Sequence, residues 1–197
     1  MALGRFVVCY SKVQNIFQEG IYCVTAKLNS LDDPQFVRCF MHRLSVDQLE
    51  DIFLTLISKY ACKAQHIDKV EFKAVRKTIS KQSEHLKEVR NRVMHSVWNE
   101  KFWEGKPGEH LYRMIYHKNK QFQFTLDEEE FDYEKLNKHA HTAICLSQFI
   151  HDFLICVVNG DTHPDKSLKA YFQFRDNEAV FPRKSDLHRF QNIDDNI

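Results

Sequence analysis

One short segment of the sequence combines side chains suited to acid–base chemistry beside an anionic group. It runs Glu84-His-Leu-Lys-Glu-Val-Arg-Asn-Arg-Val-Met-His-Ser-Val-Trp98 and contains Arg90, Asn91 and His95. Imidazole titrates near neutral pH, so it can accept or donate a proton in a reaction. A guanidinium group can hold a phosphate through paired hydrogen bonds, and an amide can orient either partner. We therefore take Arg90, Asn91 and His95 as the candidate catalytic residues.

The spacing of these residues has a consequence if the segment is helical. At 100° per residue, Asn91 and His95 form an i,i+4 pair about 40° apart on one polar face, with Glu84 and Glu88 nearby. Arg90 lies at the border between that face and the apolar stripe. An arginine at this border must reach around the helix or find its partner in another chain.

The segment belongs to the third of four predicted long helices. Apolar residues at steps of three or four from 6 to 28 predict the first helix, which Asp32-Asp33-Pro34 ends. A capping box at Ser45-x-x-Gln48 opens the second. The third runs from about Ile67 to Trp98, with a possible break near Ser80–Ser83.

The periodicity then changes. Leu111–His117 and Gln121–Leu126 alternate around Lys118-Asn119-Lys120, which predicts a β-hairpin. The acidic run Asp127–Glu130 is suited to the N-terminus of the last long helix, which extends to about residue 157. A second, short hairpin is predicted around Asp176-Asn177.

These elements predict a mainly all-α fold. We expect an up-and-down bundle of about four long helices, because the connections between them are short. Residues 1–157 would form this domain, with the β-hairpin inserted at about 111–126. Residues 158–197 would form a polar C-terminal extension.

Composition excludes several other classes. The chain has 197 residues, 43% of them hydrophobic, and a net charge of +1, so no overall field recruits nucleic acid or membrane. The five glycines are scattered, which excludes phosphate-binding glycine loops. We predict no metal, because no cysteines form a C-x-x-C pair and His139 and His141 would point to different sides of a helix. No cofactor is predicted.

The chain shows no targeting signal near its first residue. The longest apolar stretch, Leu146–Val158, is shorter than the ~20 residues that a membrane helix needs. The six cysteines lie mostly among apolar residues, which is typical of buried free thiols in a reducing compartment. A cytoplasmic protein without membrane contact is expected.

The text Val89-Arg-Asn-Arg-Val-Met-His-Ser96 resembles the signature of the HEPN superfamily. Its members are helical bundles with R-x(4–6)-H on a late helix, often with a polar residue directly after the arginine. The resemblance implies a metal-independent endoribonuclease whose site is shared across a two-fold homodimer, each protomer supplying Arg90 and His95. RNA would be cleaved by attack of the 2′-OH, leaving a 2′,3′-cyclic phosphate. Such proteins often act as toxins or defence effectors, with a neutralising antitoxin or a regulatory protein as partner.

A local basic patch agrees with an RNA partner. Between residues 63 and 92, nine basic and four acidic side chains give a local charge of +5. Within it we predict that Lys81, Lys87 and Arg92 bind the RNA backbone. The alternative for this patch is a solvated helix face.

Two other interpretations of the whole chain stay open. The first is a HEPN-like fold without catalysis that binds nucleotide or protein. The second is an unrelated helical interaction protein in which the motif is accidental.

Overall fold

The chain folds mainly into α-helices in the computed structural model. The structure describes residues 2–28, 39–94, 97–100, 111–118, 124–131, 133–160 and 166–182. Within them, the long helices are α1 (Ala2–Lys27), α2 (Val46–Ala61), α3 (Lys69–Met94) and α4 (Tyr133–Asn159), and α5 (Leu168–Tyr171) is one turn. The predicted mainly α-helical class is confirmed.

Short polar side chains fix where two of the helices begin. The Ser45 hydroxyl accepts from the Gln48 N–H at 3.3 Å, and the Gln48 side chain accepts from the Ser45 N–H at 2.9 Å. The predicted capping box is therefore confirmed. Asp68 caps the N-terminus of α3, because its carboxylate accepts from the N–H groups of Val70 and Glu71 at 2.8 and 3.0 Å.

The core lies where α1 packs against α4 and α2, and α3 contacts both α4 and α1. The predicted stripe of α1 is buried, as shown by Phe6, Val13 and Phe17. The Phe17 and Phe53 rings lie 5.4 Å apart. Each fully buried side chain of this size contributes ~1.5–3 kcal/mol relative to an exposed one, so these contacts hold the helices together.

Helix α4 is long and apolar enough to cross a membrane by length and composition alone. It is also the central packing helix, and 56% of its most apolar window is buried against the rest of the protein. A helix of this kind belongs to the core of many soluble proteins. The structure is consistent with a soluble protein.

Helix α3 differs from the prediction at two points. It is unbroken through Ser80–Ser83, because the Ser83 hydroxyl turns inward and donates to Glu50 at 2.6 Å. It ends at Met94, so the prediction of a helix to Trp98 was wrong. Val97–Glu100 instead forms β1, which pairs antiparallel with β2 (Leu111–Lys118). Pairing with a strand that follows later in the chain overrides the helical periodicity here.

The predicted first hairpin is confirmed, with its second strand later than expected. Strand β3 (Phe124–Phe131) pairs antiparallel with β2, which lies between β1 and β3. The acidic run Asp127–Glu130 therefore lies in β3 and does not begin a helix, which corrects the prediction. Charged residues are common on edge strands, where they oppose pairing with another chain.

The second predicted hairpin is also confirmed. Strands β4 (Phe174–Arg175) and β5 (Glu178–Ala179) flank Asp176 and Asn177, whose φ values are 51° and 61°. Two successive left-handed residues form a type I′ turn, which aspartate and asparagine tolerate better than most side chains.

The described part of the C-terminal extension packs onto the helices. Leu168, Phe172 and Ala179 are buried in the same hydrophobic core, and the Phe172 ring lies 4.7 Å from Phe149. Thr78 of α3 donates to the Ala179 carbonyl at 3.0 Å. Residues 166–182 thus share the core of the helical domain, although the sequence around them is polar.

The cysteines are only partly as expected. None of the six forms a disulfide, and Cys9, Cys145 and Cys156 are buried as predicted. Cys39 and Cys62 are exposed. Other predictions concern positions outside the described residues, namely the break at Asp32-Asp33-Pro34, the Asn119-Lys120 turn and His95.

Candidate functional site

A pocket of about 330 Å³ opens where α1, the start of α2 and the last turns of α3 meet. Helix α3 contributes Arg90 and Asn91 to its wall, and α1 contributes Tyr10. The wall combines polar groups with an apolar side. The remaining lining residues are Phe6, Val7, Ser11, Gln14, Leu44, Ser45, Val46, Asp47, Lys87 and Met94. A cavity of this size can hold a small organic molecule or one nucleotide unit.

Arg90 is the cation of this pocket that stays available to a ligand. It is half-buried, and its Nη1 donates to the Asn91 side-chain oxygen at 3.1 Å. No carboxylate of the described residues forms an ion pair with it. It lies in the last turns of α3, where the negative end of the helix dipole favours a cation. Arg90 can therefore receive an anionic ligand without first losing a protein carboxylate.

Lys87 lies one turn earlier on α3 and is neutralised by the protein. Its ammonium nitrogen lies 2.9 Å from Glu84, 3.0 Å from Asp47 and 3.5 Å from Glu50. Burial opposes its charge, but the hydrogen bonds to Glu84 and Asp47 dominate and raise the pKa of Lys87. Three carboxylates around one ammonium leave it little attraction for an added anion.

Glu50 anchors this cluster from inside the protein. It is only 6% exposed, and it accepts from the hydroxyl of Ser83, which is 1% exposed. A buried carboxylate is costly unless it is paired and hydrogen-bonded. Ser83 and Lys87 supply both partners, so this network joins α2 to α3 beside the pocket.

Tyr10 of α1 lines the same pocket as Arg90. The residue is 8% exposed, and its ring lies 6.1 Å from Phe6. Burial raises the pKa of Tyr10 to about 12, with the nearby Arg90 acting in the opposite direction. The phenol is thus neutral at physiological pH and able to donate a hydrogen bond.

The structure brings some of the predicted site residues together and separates others. Arg90, Asn91 and Lys87 share the pocket. Lys81 and Arg92 are exposed and do not line it. At 100° per residue they lie within about 20° of each other on another side of α3.

His85 lies on that other side of α3. Its ring lies 5.2 Å from the His139 ring of α4. Burial lowers the pKa of His139, and the neighbouring His85 and Arg92 lower it further. His141 turns elsewhere, with its Nδ1 3.3 Å from the Cys145 sulfur. No group of three metal-ligating side chains occurs within the part of the chain that the structure describes.

A second cavity, of about 200 Å³, lies at the opposite end of α3. His66, Asp68, Glu71, Cys156 and Lys169 are among its lining residues. Most of these groups already have partners, since Lys169 pairs with Glu71 at 2.8 Å and Asp68 caps α3. Burial raises the pKa of Cys156 to about 12, so its thiol is not a reactive nucleophile.

The sequence analysis did not identify the pocket residues of α1 and α2. Tyr10 falls in the apolar stripe of α1 and reads as a core residue, and Ser45 reads as a cap. The available signal was weak. It consists of a tyrosine in an otherwise apolar stripe, because a buried tyrosine hydroxyl usually needs a polar partner.

Compared with models of protein families, with curated proteins and with solved structures, the chain matches none of them.

Proposed function

We propose that this protein is a metal-independent endoribonuclease of the HEPN type that acts as a homodimer. The proposal includes an up-and-down arrangement of the four long helices, in which α3 carries the site. Support for this arrangement comes from the contacts of α1 with α2 and α4, and of α3 with α4.

The observation that carries the proposal is the environment of Arg90. It lines a pocket beside Asn91, and no described carboxylate neutralises it. A guanidinium in this position can bind the phosphate of an RNA strand and stabilise the charge that develops on it during cleavage. A purely structural arginine would be expected to hold an acidic partner within the protein.

The chemistry requires His95 as well. Two copies, one from each protomer, would divide the roles of base for the ribose 2′-OH and acid for the leaving 5′-oxygen. Asn91 would orient His95 or contact the phosphate. The product would be a 2′,3′-cyclic phosphate.

The biological setting follows from the same resemblance. We propose a cytoplasmic toxin or defence effector that acts on cellular or foreign RNA. A neutralising antitoxin or a regulatory protein would then control it.

The experiment is RNA degradation by the purified protein in excess chelator, with His95→Ala and Arg90→Ala beside the wild type. Arg76→Ala is the matched control, because Arg76 is an exposed arginine on α3 outside the pocket. We expect cleavage by the wild type and the control, and none by the two site variants. Equal cleavage by all four proteins would contradict the proposed site.

A second candidate function is a non-catalytic module of the same type that binds nucleotide or protein. The observation that favours it is the neutralisation of Lys87 by three carboxylates, which makes the pocket less basic than the sequence suggests. RNA binding without cleavage, lost in Arg90→Ala, would support this candidate.

A further inference from the structure

The Tyr10 hydroxyl has no hydrogen-bond partner among the residues that the structure describes, although the residue is more than nine-tenths buried. It lines the pocket, so the hydroxyl reaches the cavity. The hydroxyl is not among the buried unpaired atoms of the described residues, so water in the pocket can reach it. A ligand with an acceptor group can take the place of that water and receive a hydrogen bond from the phenol.

Tyr10 and Arg90 line the same pocket. The charge of Arg90 also lowers the pKa of Tyr10 against the larger effect of burial, as expected for neighbouring groups. A neutral phenol and a guanidinium in one pocket present two kinds of donor to an acceptor. The start of α2, capped by Ser45, adds the positive end of a helix dipole to the same wall.

Arg90 is the one charged lining residue without a described partner of opposite charge. The other two, Asp47 and Lys87, pair with each other at 3.0 Å, and Glu84 and Glu50 add further negative charge around Lys87. One available cation beside these carboxylates suits a ligand of low charge and disfavours a polyanion. A phosphodiester carries one negative charge, whereas a nucleoside triphosphate carries three or four.

We propose that the pocket binds a single phosphodiester group of RNA through Arg90 and the Tyr10 hydroxyl, and that it discriminates against nucleoside polyphosphates. This inference rests on the proposed ribonuclease function and adds Tyr10 as a substrate-binding residue. Because the phenol stays neutral, Tyr10 donates a hydrogen bond and takes no part in proton transfer.

The test is an NMR titration of the wild type with 2′-O-methyl dinucleoside monophosphates, which cannot be cleaved because the attacking hydroxyl is blocked. ATP without magnesium is the comparison ligand. The variants are Tyr10→Phe and Arg90→Ala, and Tyr171→Phe is the control because Tyr171 is 42% exposed on α5, outside the pocket.

We expect Tyr10→Phe to weaken dinucleotide binding about tenfold, which corresponds to ~1.4 kcal/mol. Arg90→Ala should abolish binding, Tyr171→Phe should leave it unchanged, and ATP should bind more weakly than the dinucleotide. The thermal unfolding midpoint of Tyr10→Phe should equal that of the wild type, because the hydroxyl has no protein partner to lose. A merely structural tyrosine would lower it.

The outcomes separate this inference from the proposed function. Normal binding by Tyr10→Phe together with loss in Arg90→Ala would overturn the role of Tyr10 and leave the site in place. A lower unfolding midpoint for Tyr10→Phe would also overturn it. ATP binding as tight as that of the dinucleotide would overturn the single-charge preference. No binding by the wild type, or normal binding by Arg90→Ala, would overturn both proposals.

Discussion

The two ends of α3 each border a cavity, but their polar groups are used differently. At the first end, Asp68 caps the helix and Glu71 pairs with Lys169. At the second end, Arg90 has no described carboxylate partner and the Tyr10 hydroxyl has no described hydrogen-bond partner. The first cavity is mostly saturated by the protein itself, whereas the second retains donors for a ligand. What distinguishes a structural cavity from a candidate binding site is whether its polar groups already have partners in the protein, more than its volume.

The first cavity has one exception to this saturation. The His66 Nε2 is buried and unpaired among the described residues. It lies against Gly160, where an added Cβ would come 2.9 Å from that nitrogen. The unpaired atom is therefore enclosed by close packing, while the Tyr10 hydroxyl reaches open space.

The largest effect is expected for RNA cleavage, at the second end of α3. Arg90→Ala should reduce RNA cleavage about a hundredfold or more, since it removes a donor that stabilises transition-state charge. Its free energy of unfolding should stay near that of the wild type, because no described ion pair is lost. Initial rates and urea denaturation measure the two quantities, with Arg76→Ala as control. A large loss of stability would show that Arg90 is structural.

The next effect is a loss of stability at Lys87, which borders the same pocket but already pairs with three carboxylates. Lys87→Met should destabilise the protein by about 3 kcal/mol, because it leaves the Glu50 carboxylate buried without its counter-charge. This is the lower end of the range for a broken buried pair, since the Lys87 side chain is 18% exposed. Urea denaturation measures the change.

The matched control is Lys77→Met on the same helix. Lys77 pairs with Glu178 at 2.6 Å, but both side chains are more than half exposed. An exposed pair contributes little, so this variant should unfold like the wild type. Equal losses in the two lysine variants would mean that burial does not set the strength of these pairs.

A smaller loss of stability is expected from Gly160→Ala, which tests the packing of the first cavity. Gly160→Ala would place a Cβ 2.5 Å from the Cys156 carbonyl oxygen and 2.7 Å from the His66 ring. We expect a loss of ~1–3 kcal/mol from this overpacking, with RNA cleavage unchanged. Gly4→Ala is the control, because nothing lies within 4 Å of its added Cβ. Reduced cleavage at full stability would contradict the assignment of this end as structural.

The smallest effect lies between the two ends, at His139. Its pKa in the folded protein is lowered below the ordinary value of 6.5, so the unfolded chain binds more protons in this range. Stability should therefore rise with pH between about 5 and 7.5. His139→Gln should flatten this dependence. Thermal unfolding midpoints across that range measure it.

Burial raises the pKa of Asp152, which gives a pH dependence of opposite sign. Both proteins contain Asp152, so the difference between the wild type and His139→Gln isolates the contribution of His139. An unchanged pH slope in His139→Gln would contradict a lowered pKa of His139.

Local signals were sufficient for much of the fold. The capping box at Ser45 and the left-handed turn at Asp176-Asn177 depend on a few neighbouring residues, and both are confirmed. Strand β1 and the acidic second half of β3 were missed, because each depends on pairing with β2, a separate segment of the chain. Periodicity carries no information about such distant partners.

The site was predictable only in part for the same reason. The polar face of α3 follows from the spacing of Arg90 and Asn91. The neutralisation of Lys87 depends on Asp47 and Glu50, which come from another helix. The exposure of the Tyr10 hydroxyl to a pocket depends on where three helices meet.

The packing of α1 against α4 has a consequence for synthesis. Roughly a hundred residues separate the two helices along the chain, and a ribosome adds ~5–20 residues per second. The apolar stripe of α1, with Phe6 and Phe17, would wait ~5–20 s for its main partner during translation. A chaperone that shields this helix on the nascent chain would therefore raise the yield of folded protein.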